Sequence, residues 1–152
     1  MDLRDRVNHA LKQAMKDKDA GRLATLRLVN AAIKDQEIAQ RGTEDTAPLG
    51  DPEILAILAK MTKQRNESVR AYEEGGRLDL AERERNEIAV IEEFLPRQLD
   101  DAEIAAAIDR AIADVGASSI RDMGKIMARL RDRHAGQMDF GAVGGQVKAR
   151  LG

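Results

Sequence analysis

The chain has 152 residues, of which 43% are hydrophobic, 34% charged and only 2% aromatic, with no cysteine and a formal net charge of −2. This length suits one ordinary domain or two small ones, and the aliphatic content is too high for a disordered chain. The missing cysteines exclude disulfides, thiolate nucleophiles and cysteine metal sites.

The N-terminus is charged from Asp2 onward and has no apolar run, so it does not read as a signal peptide. No stretch approaches the roughly 18 apolar residues of a membrane span. A cytoplasmic location is the expectation, with no membrane partner.

Leu3, Val7, Leu11 and Met15 recur at helical spacing and predict a first amphipathic helix over 2–17. Asp19 to Gly21 breaks that pattern. A second helix is expected over 22–40, marked by Leu23, Leu26, Val29, Ile33 and Ile38. Residues 42–50 read as a loop, carrying Thr43, Asp45, Pro48 and Gly50.

Asp51-Pro52 predicts a helix start, with Asp51 as the cap. The third helix then runs to Glu74 along Ile54, Leu58, Met61, Ser68, Val69 and Tyr72, and Gly75-Gly76 ends it. A fourth helix spans 79–95, with Leu80, Ile88, Ile91, Phe94 and Leu95 apolar, and Pro96 stops it.

Asp100 or Asp101 caps a fifth helix bearing Ile104, Ile108, Ile112 and Val115, which Gly116 closes. Ser118 or Ser119 caps a sixth, with Ile120, Met123, Ile126, Met127 and Leu130, closed by Gly136. Asp139 caps a seventh, with Phe140, Val143, Val147 and Leu151. No β-branched run alternates with period two. The fold class is therefore all-α: a module of about four long helices over 1–97, then a three-helix domain over 98–152.

Charge is unevenly placed. Residues 1–97 carry 17 basic and 19 acidic side chains, and residues 98–152 carry eight of each. Within the latter, residues 117–152 hold seven basic against three acidic, a net of +4. Arg121, Lys125 and Arg129 fall at i, i+4 and i+8 and would share one helical face. Arg131, Arg133, Lys148 and Arg150 extend the patch. These groups suit phosphate oxygens, and a solvated helix face is the competing reading.

No catalytic constellation is evident. His9 and His134 lie far apart without a ligand-spaced partner, and His134 sits where a helix C-terminus favours a cation. Glu82-Arg83-Glu84-Arg85 and Glu92-Glu93 read as solvated faces, and nothing singles out Glu67, Glu73 and Glu74 as the lining of a cleft between the third and fourth helices. Ser68, Ser118 and Ser119 lack an adjacent base. No metal or cofactor is expected. Gly141, Gly144 and Gly145 in one short helix, each costing about 1 kcal/mol relative to alanine, call for close packing or for a backbone open to RNA. The scarcity of aromatic stacking platforms disfavours single-strand base reading and leaves backbone and shape recognition of a folded RNA.

Several blocks resemble the YqeY family in the right order. They are Ala14-Met15-Lys16, Thr25-Leu26-Arg27, Ala32-Ile33-Lys34, Lys63-Gln64-Arg65, the segment from Gly76 to Glu82, and Phe94-Leu95-Pro96-Arg97-Gln98-Leu99. Met123-Gly124-Lys125-Ile126-Met127, Asp139-Phe140 and the segment from Val147 to Leu151 continue the match. The family's C-terminal part is similar to the tail domain of GatB, a subunit of the tRNA-dependent amidotransferase. Here the Met123-Gly124-Lys125 and Val147-Lys148 blocks carry that similarity.

The resemblance implies a non-catalytic module contacting tRNA or a tRNA–enzyme complex, with Arg121, Lys125, Arg129, Arg133 and Lys148 on phosphates. The partner enzyme would be an amidotransferase or an aminoacyl-tRNA synthetase, and no DNA partner is expected. Two alternatives stand beside it. One is a carbon–nitrogen ligase activity with glutamine as amido-N-donor, exercised as an amidotransferase accessory. The other is a protein–protein adaptor, with the long third and fourth helices as the docking surface.

Overall fold

The structure is a computed structural model that describes residues 2–40 and 48–152. The expected loop residues Thr43 and Asp45 lie outside the described residues. Seven α-helices and no strand occur among the described residues, so the all-α expectation holds. They are α1 (Leu3–Lys16), α2 (Ala20–Gln40), α3 (Asp51–Glu74), α4 (Leu78–Glu92), α5 (Asp101–Val115), α6 (Met123–Arg133) and α7 (Phe140–Leu151), with a 3-10 turn at Ile120–Asp122. They gather into two compact units, Met1–Leu95 and Pro96–Gly152. None of the described helices is long and apolar enough to cross a membrane.

In the first unit, Leu3, Val7 and Ala14 of α1 are buried with Leu26, Val29 and Ile33 of α2. Ile54, Leu58 and Met61 of α3, Ile91 of α4, Leu49 and Phe94 complete this core. Each fully buried aliphatic side chain contributes about 1.5–3 kcal/mol. Thr25 is buried without penalty because its hydroxyl donates to the Gly21 carbonyl at 3.2 Å.

Three helix boundaries of this unit differ from expectation, and one is the end of α4 at Glu92 rather than at 95, where Glu93, Phe94 and Leu95 turn on i→i+3 bonds to Val90, Ile91 and Glu92. Gly21 was expected to break the chain, yet it lies in the first turn of α2. The reversal is made instead by Lys18, at φ +55°. The Asp19 N–H reaches the Ala14 carbonyl at 3.0 Å and the Lys18 N–H the Met15 carbonyl at 3.3 Å, the pair of bonds that closes a helix through a left-handed residue. At α3, Gly50 rather than Asp51 is the cap, and its N–H is held by the Glu53 carboxylate at 3.0 Å. This frees Asp51 Oδ1 to accept the Leu3 N–H at 3.1 Å, tying the starts of α1 and α3 together.

α3 has 24 residues, about 36 Å at 1.5 Å per residue. Its second half packs on α4 around a separate cluster of Val69, Ala81 and Ile88 with Tyr72 against it. Gly76, at φ +74°, makes the turn between them. Arg77 N–H to Tyr72 carbonyl (2.7 Å) and Gly76 N–H to Glu73 carbonyl (3.1 Å) satisfy the last carbonyls of α3.

In the second unit, Asp100 is the cap of α5. It accepts the Glu103 N–H at 2.8 Å, while Glu103 accepts the Asp100 N–H at 3.2 Å. Gly116, at φ +69°, ends the helix as expected. Ile108, Ala111, Ile126, Met127, Leu130, Met138, Val143 and Val147 form the core. The segment before α5 is stitched to the loop after α6: Leu99 N–H to Gln137 carbonyl (2.9 Å), Gln98 Nε2 to Gly136 carbonyl (2.6 Å) and Gln137 Nε2 to Arg97 carbonyl (3.1 Å).

The sixth helix opens with the 3-10 turn rather than as one continuous α-helix. Ser119 is its cap, with Oγ accepting the Arg121 N–H at 3.3 Å. Asp122 turns back to accept the Ser118 N–H at 3.2 Å, and its own N–H reaches the Ser119 carbonyl at 3.1 Å. These short-range bonds tighten the entry to i→i+3 spacing.

Candidate nucleic-acid interface

The expected stripe of cations is set on two kinds of backbone. α6 begins at Met123, so Arg121 lies in the preceding 3-10 turn and does not continue the α-helical face of Lys125 and Arg129. Ile126, Met127 and Leu130 are buried, which turns Lys125 and Arg129, one helical turn apart, to the exposed side. Lys148 is exposed on α7, whose Val143 and Val147 face the core.

Among the described residues, Arg121, Lys125, Arg129 and Lys148 have no carboxylate within ion-pair distance. The other cations of this segment are engaged. Arg133 pairs with Asp114 of α5 at 2.5 Å. Arg150 pairs with Asp109 of α5 and donates to the Ala105 carbonyl at 3.0 Å. The Arg131 guanidinium stands 5.7 Å from the centroid of the Phe140 ring, a cation–π contact. Arg110, which pattern reading passed over, also approaches Asp114, at 3.9 Å. It sits on α5, outside the net-positive segment, and its i,i+4 spacing from Asp114 on the same helix is the signal that could have found it.

The glycines divide by role. Gly144 is buried, and a Cβ there would meet the Met123 and Met127 methyls at 3.6 and 3.9 Å, so it serves the close packing of α7 on α6. Around Gly124 and Gly145 nothing lies within 4 Å of such a Cβ. Both are exposed, leaving stretches of bare backbone on α6 and α7.

Shifted carboxyls trace to arginine neighbours. Arg133 above all, then Arg110 and Arg129, hold the Asp114 carboxyl below the usual carboxylate range. Arg97 draws Glu103 down to about 2 through a hydrogen bond. A catalytic acid would be displaced the other way by burial. Thr25 is the one buried polar side chain among the described residues, and no group of three His, Asp or Glu there could hold a metal. His9 is exposed, and His134 ends α6 with its Nδ1 3.1 Å from Gln137 Oε1. Glu73 is paired with Arg85 across α3 and α4, and Arg85 also meets Glu82 at 3.7 Å.

A family model described as Yqey-like protein matches residues 4–151. The chain belongs to the YqeY family. Among its YqeY relatives, altered inheritance of mitochondria protein 41 of Lachancea thermotolerans is 30% identical over 143 residues, spanning 93% of this chain and 74% of that protein. The protein of the same name from Clavispora lusitaniae is 28% identical over 144 residues, 93% of this chain and 80% of that one. The Candida glabrata protein is 34% identical over 85 residues, 56% of this chain and 45% of its own length.

All three are named as mitochondrial proteins, which corrects the expectation of a cytoplasmic location. That expectation leaned on an N-terminus that does not read as a signal peptide, on the lack of an apolar span and on the missing cysteines, and the first two do not separate the cytoplasm from a mitochondrion. The absence of cysteine removes disulfide chemistry in any compartment and so selects none.

Proposed function

We propose that residues 98–152 form a non-catalytic module that binds the phosphate backbone of tRNA, alone or within a tRNA–enzyme complex, and that residues 1–97 form a second, helical module. The observation that carries this reading is the set of four exposed cations with no carboxylate at ion-pair distance among the described residues, Arg121, Lys125, Arg129 and Lys148, of which Arg129 feels Asp114 only at longer range. An exposed cation already paired with a carboxylate gives little to an incoming phosphate, whereas an unpaired one releases counterions on binding. Gly124 and Gly145 add backbone that a sugar-phosphate chain can approach closely. The mitochondrial names of the relatives make the tRNA of that organelle, with its amidotransferase or aminoacyl-tRNA synthetases, the first partners to test.

The test is a titration of total tRNA against the full chain at two salt concentrations, beside the Lys125→Glu/Arg129→Glu variant. Saturable binding that weakens with salt and is lost in the variant supports the module. No binding at low salt overturns it.

An adaptor role for the first unit has its own support. Met15 on α1 and Leu28 and Ile38 on α2 are 52%, 46% and 59% exposed, large apolar groups on a surface otherwise rich in charge. A partner lost on deleting 1–97 and kept on deleting 98–152 would favour that role. The glutamine-dependent ligase alternative is tested by incubating the chain with charged tRNA, glutamine and ATP, with and without amidotransferase subunits; absence of any added amide product sinks it.

A further inference from the structure

We propose that Asp114 is a built-in competitor of the phosphate ligand, an α5 carboxylate that occupies Arg133 and keeps it out of the contact set until it is displaced. This rests on the reading of the second unit as a phosphate-binding surface. Arg133 lies one turn beyond Arg129 on α6, so by sequence spacing it belongs to the same row of cations. In the fold its guanidinium reaches back to α5 and meets Asp114 at 2.5 Å, with its side chain reduced to 29% exposure. Arg110 lies on the same carboxylate at 3.9 Å, and Arg129 is close enough to help hold Asp114 ionised.

One negative charge thus sits among three arginines. It weakens the field that a phosphate would feel there and holds one of the three in a charge-assisted bond of its own. A phosphate taking Arg133 must first break that bond. The contact set of the resting protein is then Arg121, Lys125, Arg129 and Lys148, without Arg133. Arg150 is occupied in the same way by Asp109. α5 therefore carries two carboxylates that hold back cations of α6 and α7.

The decisive measurement is the salt dependence of total tRNA binding by the full chain. It is made for the natural sequence, Asp114→Asn, Arg133→Gln, the double variant, and Asp132→Asn as an equal change of net charge on the exposed side of α6. Each phosphate contact adds about 0.7–0.9 to the slope of log affinity against log salt. Asp114→Asn is expected to steepen the slope by one such increment and to tighten binding at low salt. Arg133→Gln alone should leave the slope unchanged, and in the Asp114→Asn background it should return the slope to its starting value.

An unchanged slope in Asp114→Asn overturns the proposal while leaving the tRNA reading intact. So does a loss of one increment in Arg133→Gln alone, or an equal steepening in Asp132→Asn. No binding by the natural sequence at low salt overturns both. Circular dichroism melts of each variant establish that the helices are retained, so that a change in slope reports on the surface.

Discussion

Arg65 and Glu87 lock the outer part of the α3–α4 hairpin, Nε donating to Oε2 at 3.0 Å with the two side chains only 15% and 24% exposed. The same guanidinium donates through Nη1 to the Met61 carbonyl at 3.2 Å. This double engagement sits where the core has thinned to Val69, Ala81, Ile88 and Tyr72. Arg65→Ala is expected to lower the unfolding free energy by about 2 kcal/mol, in the range for charge-assisted bonds to a partner left behind. Urea denaturation measures it. Arg65→Lys should recover little, because the two bonds leave from two separate nitrogens of the guanidinium fork and an ammonium places all its donors at one point. A loss under 0.5 kcal/mol would place this pair with ordinary surface bridges, worth about 0–1 kcal/mol.

The two neighbouring glycines of α7 should respond differently to substitution. At Gly144 the nearest atoms to an added Cβ are methionine methyls at ordinary contact distance, so Gly144→Ala fits and gains helix propensity of about 1 kcal/mol. Gly144→Leu overfills the same contact and should cost about 1–3 kcal/mol. Gly145→Ala meets open space and should stabilise by about 1 kcal/mol. Thermal melts read all three. If bare backbone at Gly145 lets RNA approach, that variant melts higher yet binds tRNA more weakly. Unaltered affinity would remove Gly145 from the interface.

Lys18 holds a left-handed conformation that favours glycine. Placing glycine there relieves about 1 kcal/mol of backbone strain, part of which is offset by the freer unfolded chain. Lys18→Gly should raise the melting temperature and Lys18→Ala should not. Equal effects of the two would trace the change to the lysine charge instead.

Glu103 predicts a pH effect. Its carboxyl is held at about 2 against an ordinary value of 4.5, first by the Arg97 hydrogen bond and then by the Asp100 backbone. A carboxyl lowered on folding contributes its stabilisation in full above its unfolded value. It loses that stabilisation as the pH falls from 4.5 to about 2. The melting-temperature difference between the natural sequence and Glu103→Gln should be constant above about pH 5 and shrink through this window. A difference that persists undiminished at the acid end would assign the effect to capping rather than to charge.

The sequence by itself determined the helices and the family. Helix 3.6-residue periodicity, Asp100 and Asp139 as caps, and Gly76 and Gly116 as left-handed ends are local properties, decided by side chains within a few residues of one another. Its errors were also local choices with a competitor. Lys18 took the turn that Gly21 was expected to make, Gly50 took the cap from Asp51, and a 3-10 entry separated Arg121 from α6. Tertiary structure decided which cations of α6 and α7 are held by a carboxylate of α5. Charge and spacing make Arg129 and Arg133 equivalent, one turn apart on α6, and the packing of α5 on α6 separates them by setting Asp114 against Arg133. Ion pairing between helices depends on where two backbones meet, and no periodicity within either helix contains that distance.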